Sequence, residues 1–82
     1  MNDYDGMPNL PKIMSMADLA ILIGWRVERV RRAMTKRGIA FKMAERKNCR
    51  WYVTSVGLRQ SMPQVYMEVQ AEAGRRSYVF SD

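Results

Sequence analysis

The 82 residues contain no histidine. That removes imidazole as a general base and as a metal ligand, and with it His-based catalysis and zinc fingers. A single cysteine, Cys49, forbids an internal disulfide and fits a reducing compartment. No run approaches the ~20 apolar residues of a membrane span. The opening MNDYDG is acidic and polar, unlike the apolar region of a signal peptide. There is no Gly-rich phosphate loop, no cluster of metal-ligating side chains and no nucleophile beside a base. Neither an enzyme nor a cofactor is expected, and the expected setting is cytoplasmic, without a membrane partner. Acidic residues are scarce in one place above all. Residues 26–50 hold ten Lys or Arg against two acids, Glu28 and Glu45, a net of +8. The remaining four basic and six acidic residues net −2, which gives the +6 of the whole chain.

What is present is a small chain of ordinary apolar content, 48%, too hydrophobic for wholesale disorder. A chain this short forms one domain with a thin core. Eight methionines are many for this length, and core filling is the default use of so pliable a side chain. The one-signed block at 26–50 is the electrostatic footprint of a phosphate-binding face.

Residues 18–38 organise the rest. Leu19, Ala20, Ile23, Gly24, Trp25, Val30 and Ala33 have the spacing of two helices crossing at a tight turn. Ala20 is small where the helices approach, Gly24 supplies φ > 0, and Val30 plugs the second helix into the first. The first helix starts at Ser15, with Asp18 three residues on as a capping box, and buries Met16, Leu19, Ala20 and Ile23. The second runs over about 26–36. An ordinary helical wheel sets Val27, Val30, Ala33 and Met34 on the core side. Glu28, Arg31, Arg32 and Thr35 fall outward, with Arg29 and Lys36 on a flank. Trp25, Arg26 and Val27 offer it no good cap. Gly38 ends it.

Beyond Gly38, Ile39, Phe41 and Met43 alternate with Ala40, Lys42 and Ala44. Past a polar turn, Trp51 and Val53 alternate with Arg50, Tyr52 and Thr54. This predicts a β-hairpin over 39–54, with Ile39, Phe41, Met43, Trp51 and Val53 facing inward and Lys42, Arg50 and Tyr52 outward. Thr54 or Ser55 then caps a short helix through Gln60, weakened by Gly57. Ser61 and Gln64 form a second capping box, with Pro63 in the first turn, for a helix over 62–73 striped by Val65, Val69 and Ala73 and ended by Gly74. The expected division is a flexible arm at 1–12, a domain at 13–73 and a tail at 74–82. For the tail, a loose end, an added strand and a docking segment all stay open.

The helix, turn, helix and hairpin order over 14–54 resembles the winged helix-turn-helix of phage excisionases, of their recombination-directionality relatives and of the DNA-binding domain of MerR regulators. Phage terminase small subunits carry a similar module. The expected fold class is therefore mainly α with a small β-hairpin, a winged helix-turn-helix. In the resembled families the second helix lies in the DNA major groove. Carried onto this chain, the recognition helix offers Arg26, Glu28, Arg29, Arg31, Arg32, Thr35 and Lys36. The wing offers Lys42, Arg46, Lys47, Asn48, Arg50 and Tyr52 to the backbone or minor groove. The implied function is sequence-specific binding of double-stranded DNA by a small regulator or excisionase-like recombination factor of a phage or mobile element. Candidate partners besides DNA are further copies of the chain on repeated sites, and an integrase or other protein reached through the C-terminal helix and tail. The alternative is a protein-interaction module on the same fold, an anti-activator or a terminase-like adaptor.

Overall fold

The computed structural model describes residues 10–43 and 50–81. Residues 1–9 of the expected arm at 1–12, and the tip of the expected hairpin with Arg46, Lys47 and Asn48, lie outside them. The elements in chain order are β1 (Ile13–Ser15), α1 (Met16–Ile23), α2 (Val27–Lys36), β2 (Tyr52–Thr54), α3 (Ser55–Ser61) and α4 (Pro63–Arg76). The architecture is mainly helical with a two-stranded antiparallel sheet.

Helix α1 starts and stops as its residues dictate. The Ser15 hydroxyl accepts from the Asp18 backbone N–H at 3.2 Å. The Asp18 carboxylate, one methylene shorter than glutamate, accepts a hydrogen bond from the Ser15 hydroxyl at 3.0 Å. At the other end Gly24 turns left-handed (φ 75°) and its N–H donates to the Ala20 carbonyl at 2.9 Å. The reversal brings α2 back against α1, with Met16, Leu19, Ala20, Leu22 and Ile23 buried on α1 and Val30 and Met34 on α2. Val27, expected on the core side of α2, is 48% exposed. It occupies the first helical position, beside the turn and outside the contact that buries Val30 one turn later.

The sheet departs from the expected hairpin. β2 pairs antiparallel with β1, Met14 opposite Val53 and Ser15 opposite Tyr52. On its other side Tyr52 exchanges two backbone hydrogen bonds with Phe41, at 2.8 and 2.9 Å. The pairing of 39–54 thus consists, among the described residues, of one bridge. Tyr52, expected outward, is 1% exposed, and Val53 beside it is fully buried. Alternation fails because Tyr52 sits mid-sheet, and a strand covered on both faces buries consecutive side chains. Trp51, expected inward, is half-buried.

Thr54 caps α3 by accepting from the Gly57 N–H at 2.9 Å. The expected Ser61/Gln64 box does not form. Ser61 belongs to α3, so the position before α4 falls to Met62, kept out of the helical region (φ −138°, ψ 68°) by the following proline, with no side-chain cap. Helix α4 runs through Gly74 to Arg76 and stops at left-handed Ser77 (φ 50°). Glu72 pairs with both Arg75 and Arg76 across the glycine. Val69 and Ala73 turn inward, and α4 packs on α1 and α3. The core gathers side chains from every element, four of them the methionines 14, 16, 34 and 62. Among the described residues no helix is long and apolar enough to cross a membrane.

Candidate nucleic-acid interface

Burial of Val30 and Met34, four residues apart, fixes the rotation of α2. Every expected recognition residue, Arg26, Glu28, Arg29, Arg31, Arg32, Thr35 and Lys36, is consequently exposed, and Arg37 with them. This face has six cations and one acid. Among the described residues no carboxylate pairs with any of them; ion pairs form instead on α4, between Glu72 and Arg75 and Arg76. Like charges along one helix repel when no carboxylate lies between them. No side chain caps the first turn of α2, where Arg26 holds the cap position.

Two indoles order part of this face. The Arg29 guanidinium stacks 3.9 Å from the Trp25 ring centroid. Trp51 carries two cations: the Arg31 guanidinium at 5.9 Å and the Lys42 ammonium at 5.2 Å. Both tryptophans are half-buried and packed against the core, and each also meets a cation. Lys42 and Arg50 are exposed beside the sheet. Tyr52 is withdrawn from the expected set because its ring is in the interior, tilted against Phe41 at 6.3 Å. Sequence reasoning assigned the tryptophans to the core and missed their second role. The Trp25–Arg29 spacing of four along the chain is a local signal that reveals one such pair; the contacts of Trp51 depend on the sheet.

A second polar constellation was not anticipated. Asp18 is 2% exposed, and its carboxylate accepts from the Ser15 hydroxyl, from the Tyr78 hydroxyl at 2.5 Å and from the Ser81 hydroxyl at 2.9 and 3.0 Å. Tyr78 meets Phe80 edge to face, 5.0 Å between centroids. Burial, and then the hydrogen bond to Asp18, push the Tyr78 hydroxyl up to about 12. The tail is therefore a docked segment that closes over the start of α1. Its hydroxyls satisfy a buried carboxylate that no cation pairs with among the described residues, so the contact acts as a structural latch.

At the turn itself, Ala17, Ala20, Ile21, Gly24, Trp25 and Val27, together with Arg26 and Glu28 of the basic face, line an open groove of about 740 Å³. It is mostly apolar, with Ile21 53% exposed. Comparison with protein-family models, with curated proteins and with solved structures finds no match to this chain.

Proposed function

We propose that the chain is a sequence-specific double-stranded DNA-binding protein of the winged helix-turn-helix kind, acting as a small regulator or excisionase-like factor of a phage or mobile element. In this reading α2 enters the major groove with its outer face, Glu28, Arg31, Arg32 and Thr35, turned toward the duplex and Arg26 at its leading end. The segments on either side of the expected wing tip, 39–43 and 50–54, bring Lys42 and Arg50 toward the backbone. The observation that carries the reading is the outer face of α2: six exposed cations without a carboxylate partner among the described residues, on a helix whose rotation is fixed by Val30 and Met34. Arg pairs bidentately with guanine and Glu accepts from cytosine N4, so the face has the chemistry of base reading as well as of phosphate neutralisation.

The test is a fluorescence titration of a random duplex and of a duplex selected from a random pool, each at two salt concentrations. Binding to both is expected, tighter to the selected one, and weakening with salt by about 0.9 log units per log unit of salt for each phosphate neutralised. Arg32→Ala should cost about 1–3 kcal/mol on the selected duplex and relax preference at one or two base pairs. Absence of binding to any duplex at low salt rejects the reading. The groove beside Ile21 and Val27, apolar and open, then favours the second reading, a protein-interaction module on the same fold.

A further inference from the structure

Arg31 and Arg32 are neighbours on the outer face of α2, yet their surroundings differ. Arg31 lies against the Trp51 ring with Lys42, and Arg32 has no aromatic contact among the described residues. Resting on the DNA-binding reading, we infer that Trp51 is a positioning residue that joins Arg31 and Lys42 into one phosphate-holding pair, which leaves Arg32 as the base-reading arginine of α2.

The geometry supplies three reasons. First, the indole is anchored at its base on both sides. The Trp51 carbonyl accepts from the Met16 N–H at 3.1 Å, and the next residue, Tyr52, is bridged to Phe41, the neighbour of Lys42. The ring, the end of β2 and the backbone that carries Lys42 thus form one braced unit. Second, a cation drawn to a half-buried indole is held close to the protein surface, with less freedom to extend toward base edges deep in a groove. Arg32 keeps its full reach. Third, Arg31 and Lys42 are both held by the one ring, and among the described residues no carboxylate pairs with either. The anion that duplex DNA presents to such cations at the edge of its groove is phosphate. Because Arg31 belongs to the helix and Lys42 to the segment beside the sheet, the shared ring also sets the spacing between the two elements that grip the duplex.

The experiment is a competition titration of the selected and random duplexes with the full chain and four variants: Arg31→Ala, Lys42→Ala, the double variant, and Arg32→Ala. All are repeated in Trp51→Phe and Trp51→Leu backgrounds, with folding checked by circular dichroism. Arg31→Ala and Lys42→Ala should weaken both duplexes by the same factor and lower the salt slope by about 0.9 for each phosphate no longer neutralised, whereas Arg32→Ala should reduce the ratio of selected to random affinity. The Arg31 and Lys42 effects should be less than additive with Trp51 present and additive in Trp51→Leu, with Trp51→Phe restoring part of the coupling. Trp51→Leu keeps an apolar side chain of smaller volume, and Trp51→Phe keeps an aromatic face should the leucine variant fail to fold. A change in the selected-to-random ratio for Arg31→Ala as large as that for Arg32→Ala overturns the inference, and so does additivity in the parent background. Those results leave DNA binding standing; failure of the parent to bind any duplex removes the reading beneath both.

Discussion

Asp18 is the residue on which the two ends of the described chain meet. It caps α1 from within and is itself held by two hydroxyls of the tail, 60 and 63 residues away. Asp18→Asn replaces one acceptor oxygen with a donor that faces groups already donating. The expected loss is about 1–3 kcal/mol, as for a buried polar group left without its partner, and urea denaturation reads it. The latch also titrates. Tyr78 ordinarily ionises near 10.0 and here near 12, so the folded state holds the proton more tightly. Stability from this group is complete below about pH 10 and is lost as pH rises through 12. Tyrosinate absorbance should show a late-ionising phase that Tyr78→Phe removes. If the phase that disappears in that variant centres on about 10, the ordinary tyrosine value, the hydroxyl is not docked on Asp18.

Within the elements, exposure decides what a substitution costs. Met34 and Val27 lie on the same helix, the one fully buried and the other 48% exposed. Met34→Ala should cost about 2–5 kcal/mol, whereas Val27→Ala should stay within about 0.5 kcal/mol. Equal losses would mean that α2 is rotated from the position described. In α3, alanine normally exceeds glycine by about 1 kcal/mol in a helix. At Gly57, however, a Cβ would lie 2.9 Å from the Thr54 hydroxyl that caps this turn. Gly57→Ala should therefore lower the melting temperature, and a rise would show that the cap contributes little. The helices were legible because their signals are local. Ser15, Gly24 and Thr54 mark ends by hydrogen bonds made within a few residues, and the apolar spacing of α1 names its buried side. Strand β1 was not legible: three residues long, it pairs with β2 across the whole of α1 and α2. That pairing also places Tyr52 mid-sheet and buries it, against a period-two pattern that assumed one open face. Helix α4 outran Gly74 because the Glu72 pairs span the glycine, and a single weak residue does not stop a helix supported on both sides. Of the candidate interface, the outward basic face of α2 followed from periodicity. The joint hold of Trp51 on Arg31 and Lys42 arises only when residues from three segments converge.

At the scale of the whole molecule the charge is segregated. The basic block of 26–50 supplies α2 and the segment that follows it, while Glu68 and Glu72 lie on α4 with Arg75 and Arg76. A protein of net charge +6 attracts polyanions weakly at every point, but only a one-sided face gives many simultaneous phosphate contacts. The central claim, that the outer face of α2 grips duplex DNA, is tested most directly by the slope of log affinity against log salt for a random duplex. The parent is compared with a variant carrying Arg31→Ala and Arg32→Ala, both exposed positions whose replacement leaves the core intact. The account predicts measurable binding by the parent with a slope of several phosphates, reduced by about 0.9 for each phosphate that the variant no longer neutralises. A parent that does not bind at low salt, or a variant with an unchanged slope, would contradict it.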